Sequence, residues 1–136
     1  MSEIRLDTGV QHFQFTDLDG HCFAHFSVNP TDINLAARAA EVSSFLNGID
    51  DNLTVEQTAE LNREIEDKIA FVIGCDRQDI FAEISALTVF PDGSIYAQIV
   101  MDKIIETIEP ALEQRKKSMQ TAHDKYVKTY ETDEPV

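Results

Sequence analysis

The chain is poor in the residues that announce a catalytic or ligand-holding site. Its 136 residues include five glycines, and neither a phosphate-cradling P-loop nor a dinucleotide glycine pattern occurs. The only cysteines, Cys22 and Cys75, lie far apart, with no CxxC and no histidine at zinc-finger spacing. Two reduced thiols in a core, in a cytoplasmic setting, are therefore expected in place of a disulfide framework. The opening MSEIRLDTGV has no apolar h-region, so no secretory signal is expected, and no run approaches the roughly 20 apolar residues of a membrane span. Basic residues are scarce as well. Eleven Lys and Arg stand against 25 Asp and Glu, a net charge of −14. Such a surface repels phosphate backbones and anionic headgroups, so nucleic acid and membrane are not expected as partners. The charge either keeps the chain soluble or steers a basic partner and holds off premature self-association.

What is present is one domain's worth of chain with a real core: 43% of residues are hydrophobic and 26% charged. Residues 10–15, VQHFQF, put Phe13 and Phe15 on one face by period two. Residues 21–28, HCFAHFSV, put Cys22, Ala24, Phe26 and Val28 on one face, with His21, Phe23, His25 and Ser27 opposite. The Asp19-Gly20 pair between them supplies the positive φ of a tight connection, which predicts a β-hairpin.

The rest reads as helical. Asn29-Pro30-Thr31-Asp32 opens a helix over 32–47 with a stripe of Leu35, Ala39, Val42, Leu46 and Ile49, Phe45 beside it, and Asn47-Gly48 as a stop. After Asp50-Asp51-Asn52, Thr54 and Gln57 form a capping-box pattern for a second helix striped by Thr58, Leu61, Ile65, Ile69 and Val72. Glu64 and Lys68 pair on its wet face. Gly74-Cys75-Asp76 breaks it, and Asp76 can cap a short third helix carrying Ile80, Phe81, Ile84 and Leu87. Around Pro91-Asp92-Gly93-Ser94 two readings fit, a second hairpin or helix–turn–helix. The helical period of Ile95, Ile99, Asp102, Ile104 or Ile105, and Ile108 favours the latter. Pro110 predicts a kink or restart near Glu109.

The fold expected is thus α+β: an N-terminal β-hairpin packed on a mostly helical body, with a long C-terminal helix. Residues 1–115 form the domain and 116–136 a polar helical extension. Within that last helix Leu112, Arg115, Met119, Ala122 and Tyr126 continue at heptad-like spacing while the other positions turn polar. The stripe is too thin for a monomer core and too regular for coil, so Leu112, Met119, Ala122 and Tyr126 are the candidate partner-binding or self-associating residues.

Constellations with catalytic or metal-binding potential fall short. His21 and His25 share a strand face while Cys22 points to the other, so one ion does not readily take all three. Asp17-Leu18-Asp19-Gly20 resembles the start of a calcium loop, but its twelfth position is Val28 where a glutamate is needed. Cys75 has no histidine near it in sequence. No catalytic residue, metal ligand or cofactor site is expected, and the chain is expected not to be an enzyme. A small enzyme with a site assembled only in space is the competing class.

The segments NPTDINLAARAAEVSSFL, IAFVIGCDRQDIFAEI and TVFPDGSIYAQIVMDKIIETI, behind a short strand pair, resemble the small tail proteins of bacteriophages and prophages grouped as tail assembly chaperones. That family places a DxxxAxxYE-like helix after the hairpin, a glycine–acidic segment mid-chain and an FGG-like turn before the next long helix. Residues Asp32 to Glu41, Gly74-Cys75-Asp76 and Phe90-Pro91-Asp92-Gly93 stand in those places, over roughly residues 10–115. Pro-Asp-Gly replaces the FGG-like turn, and Cys-Asp follows the mid-chain glycine. The resemblance implies a non-catalytic role in the bacterial host cytoplasm. The protein would bind the tape-measure protein, keep its long helices soluble and recruit tail-tube subunits. A structural tail or adaptor component is the alternative it leaves open.

Overall fold

Asp17 closes the first hairpin. In the computed structural model, which describes residues 2–50 and 52–133 with side chains through Val127, its carboxylate accepts the N–H groups of Asp19 and His21, both at 2.9 Å. Gly20 takes the positive φ (+84°) that the tight return requires. Strands β1 (Gln11–Thr16) and β2 (Cys22–Val28) pair antiparallel with Phe13 opposite Phe26 and Phe15 opposite Ala24. The register slips between Phe15 and Thr16, bringing Thr16 opposite Cys22. Two strands alone are marginal in water, so the apolar face needs a cover. Ala24, Phe26 and Val28 are buried, and Phe13 and Phe15 pack against the same cluster. Cys22 departs from the expected core position. Lying at the bulge beyond the covered stretch, it is exposed, its thiol donating to the Ala24 carbonyl at 3.4 Å.

Helix α1 (Ile33–Asn47) starts at Asp32, whose side chain accepts from the Asn34 N–H, and buries Leu35, Ala39 and Val42. Helix α2 (Val55–Ile73) starts at the expected capping box: Gln57 N–H donates to Thr54 Oγ1 at 3.1 Å, and Thr54 N–H to Gln57 Oε1 at 3.0 Å. It buries Ile65, Ile69 and Val72. Thr58, expected on that stripe, is exposed and turns its hydroxyl back to the Thr54 carbonyl. Gly74, with φ +79°, ends the helix in the left-handed region.

Helix α3 (Arg77–Phe81) is shorter than the pattern suggests, so Ile84 and Leu87 fall in the irregular segment after it. The cause lies on α2. The Ala86 N–H is taken by Glu66 Oε2 at 3.1 Å and the Leu87 N–H by Asn62 Oδ1 at 2.9 Å, so neither bonds to a carbonyl one helical turn back. The same segment then supplies carbonyls to the start of the next helix, with Tyr96 N–H on Thr88 O (2.9 Å) and Ala97 N–H on Ala86 O (2.8 Å). Residues 86–88 thus form a strap gripped from both sides. Both readings of Pro91-Asp92-Gly93-Ser94 are partly realised: one bridge, Val89 to Ile95, closes the turn, and the helix follows at once.

Over residues 95–102, helix α4 (Tyr96–Asp133) seats itself one position away from the expected stripe, while Ile104, one of the two alternatives, and Ile108 are buried as expected. Tyr96, Ala97, Val100, Met101, Ile104 and Ile108 face inward, whereas Ile95 and Asp102 are exposed and Ile99 and Ile105 half-buried. Tyr96 decides the rotation. Its ring lies 5.5–6.1 Å from those of Phe15, Phe23, Phe81 and Phe90, and its hydroxyl donates to the Ile80 carbonyl at 2.7 Å. The helix also runs uninterrupted through Pro110, with no restart near Glu109. The bond Pro110 cannot make is lost on an exposed turn, where water can serve the freed carbonyl of Glu106. The result is the α+β fold the sequence pattern implies, with one core joining β2, α1, α2, α3 and the first half of α4. Among the described residues no helix is long and apolar enough to cross a membrane.

Candidate functional site

The second half of α4 continues a seam that begins inside the body. Met101, Ile105, Ile108, Leu112, Arg115, Met119, Ala122 and Tyr126 alternate by four and three residues, the a/d spacing of a coiled coil. Exposure rises along it: Met101 0%, Ile108 3%, Leu112 38%, then Met119 and Tyr126 at 67%. Arg115 marks the margin of the body. Its guanidinium reaches back to the Thr31 carbonyl at 2.5 Å, beside the start of α1. From residue 116 to 127 every residue is exposed, and the helix backbone extends about 27 Å beyond Arg115 at 1.5 Å per residue. All four candidate partner-binding residues therefore lie on one face of one helix. Leu112 sits at the edge of the body, and Met119, Ala122 and Tyr126 lie clear of it. The last three residues of the expected extension, 134–136, lie outside the described residues, as does Asp51 of the loop before α2.

Charge is distributed unevenly about this seam. Over residues 115–128, Arg115, Lys116, Lys117, Lys125 and Lys128 stand against Asp124 alone, a net of +4 inside a chain of −14. On a heptad, Lys116 and Lys125 flank the seam on its two sides. Over the extension as a whole, residues 116–136, four lysines stand against Asp124, Glu131, Asp133 and Glu134, so the excess of cations is confined to its first part.

Other titratable groups are engaged in the fold. His21 Nε2 meets Glu83 at 2.8 Å, tying the turn before β2 to the segment after α3, and His25 Nε2 lies 3.9 Å from Asp79. The hydrogen bond to Glu83, then its charge, raises the His21 pKa above its ordinary 6.5. Cys75 is half-buried, and desolvation followed by the charge of Asp79 pushes its thiol up to about 11, which keeps it protonated near neutrality. Among the described residues no group of three His, Cys, Asp or Glu side chains is placed to hold a metal ion. The Asn62–Glu66 grip on the strap escapes a reading of the sequence, because a glutamate beside Ile65 looks like part of the wet face.

No family model matches the chain, and neither a curated protein nor a solved structure does. The side chains are then the guide to function.

Proposed function

We propose that this chain is a non-catalytic, protein-binding component whose C-terminal half-helix captures a long amphipathic partner helix. This is the role that a bacteriophage tail assembly chaperone plays toward the tape-measure protein while tail-tube subunits are recruited around it. The single observation that carries the reading is the continuation of the Met101–Ile108 seam into solvent through Leu112, Met119 and Tyr126. A monomer gains nothing from heptad spacing on a helix with no neighbour, whereas a partner helix receives a ready-made seam. Met and Tyr suit that use, since the thioether adapts to irregular surfaces and the phenol covers apolar area while keeping a polar tip. The resemblance in the hairpin, mid-chain and turn segments points to the same class of partner.

The test is capture of an amphipathic helical segment of a tape-measure protein by the full chain and by a Met119→Asp/Tyr126→Asp variant. Both substituted residues are exposed, so the variant should keep the parent's thermal stability and lose capture. Equal capture by the two proteins would refute the assignment of the seam.

A further inference from the structure

The sheet is left open on one side. Among the described residues β1 pairs with β2 along one edge and with no strand along the other. Proteins commonly guard such an edge with charged side chains, lysine above all, or with proline. β1 reads Gln-His-Phe-Gln-Phe-Thr and carries no Lys, Arg, Asp, Glu or Pro, in a chain of which 26% is charged. Its core-facing side chains are also incompletely covered. Phe13 and Phe15 stay half-buried, Phe13 even with Lys103 Nζ 5.7 Å from its ring centre. Directly before the strand, residues 2–10 form no regular structure, yet Ile4 and Leu6 repeat at the spacing of a strand face and stand 80% and 79% exposed.

This segment gains little from filling the edge of its own sheet. A return through Asp7-Thr8-Gly9 is the three-residue loop with glycine at the positive-φ position, and Gly9 already has φ +74° with its N–H held by Asp7 Oδ1 at 2.9 Å. Such a loop sets Leu6 across from Val10 and Ile4 across from His12. These positions alternate with Phe13 and Phe15, so both apolar side chains would remain on the solvent face. In a second copy no loop fixes the register. There Leu6 and Ile4 can stand across from Phe13 and Phe15, two residues apart on each strand, and cover ring surface that the monomer leaves exposed.

We propose that the N-terminal segment of one copy adds as a third strand to the β1 edge of another, with Leu6 over Phe13 and Ile4 over Phe15. Two copies that do this reciprocally form a closed two-fold dimer by exchange of their arms. Reciprocity needs the alternation to change phase between Leu6 and Gln11, and Gly9, at its positive φ, is where a glycine bulge makes that change. The contact is built from backbone hydrogen bonds and apolar side chains, so added salt should not weaken it. It uses neither α4 nor its seam, and so stands apart from the proposed capture of a partner helix.

Sedimentation of the full chain over a range of concentrations tests this. The mass should rise from 15.3 kDa toward twice that value, at low and high salt alike. Ile4→Asp/Leu6→Asp should stay at the monomer mass over the same range and keep the parent's circular dichroism, since both residues are exposed. Met119→Asp/Tyr126→Asp should dimerise like the parent. In a mixture of isotope-labelled and unlabelled chains, NOEs between copies should join the Leu6 methyl groups to the Phe13 ring and those of Ile4 to the Phe15 ring. A parent that stays monomeric, an arm variant that dimerises as the parent does, or a dimer lost in the α4 variant would each overturn the proposal. So would NOEs from Leu6 to Val10 and from Ile4 to His12 within one chain, which would mean that the segment closes on its own sheet.

Discussion

The buried carboxyl of Glu66 accepts the backbone N–H of Ala86 at 3.1 Å, across twenty residues of sequence. Asn62 Nδ2 donates to the same oxygen at 2.8 Å, and Arg77 lies 3.8 Å from the other. This contact holds the strap on which α4 begins, so it fixes where α4 starts on the body. Glu66→Leu should fill the space and leave the Ala86 N–H unsatisfied, at a cost of about 1–3 kcal/mol. A denaturant titration checks the cost, and amide exchange at Ala86 and Leu87 should accelerate with it. An unchanged midpoint would show the grip to be dispensable.

Tyr96 is the hub that sets the rotation of α4. Tyr96→Phe keeps the ring contacts and strands the Ile80 carbonyl, for an expected loss of about 1–2 kcal/mol. Tyr96→Ala removes the ring as well and should cost on the order of 3–5 kcal/mol. The contrast between the two in thermal or chemical unfolding separates the hydrogen bond from the packing.

Phe26 lies 5.4 Å, ring to ring, from both Phe13 and Phe15 and is nearly fully buried under the helices. Phe26→Ala should cost about 3–5 kcal/mol. A loss below about 1 kcal/mol would mean that the hairpin does not pack by this face.

The His21–Glu83 pair gives the fold a pH signature of known sign. Its folded pKa is raised above 6.5, so its stabilising effect is fully present below the unfolded pKa and fades as pH rises through the folded one. The pair is exposed, and the effect should be correspondingly small. NMR titration should place the His21 pKa above 6.5 in the parent and lower it in Glu83→Gln; equal values in the two proteins would exclude the pairing.

How far the sequence reveals this arrangement depends on how local each determinant is. The hairpin and the α2 capping box are legible because alternating Phe, Asp-Gly and Thr-x-x-Gln act within a few residues. The rotation of the first turns of α4 is not, since residues 95–102 carry apolar residues in two competing helical phases, and the choice falls to Tyr96 through the rings of Phe15, Phe23, Phe81 and Phe90 and the Ile80 carbonyl. The end of α3 is hidden for a similar reason, being imposed by Asn62 and Glu66 from another helix. Cys22 is misplaced by the strand pattern because alternation does not show where the covering layer stops. The seam on α4 is legible because its three- and four-residue spacing lies within one helix.

Amide hydrogen exchange along α4, with and without a tape-measure helical segment, tests the docking role most directly. In the free protein at low concentration, amides from Tyr96 to Ile108 should be strongly protected and those from 116 to 127 should exchange fast, as an exposed helix end does. Adding the segment should slow exchange selectively over 112–127. Strong protection of 116–127 in the monomer alone, or protection on addition that falls elsewhere and leaves that stretch unchanged, would contradict the assignment of α4 as the docking element.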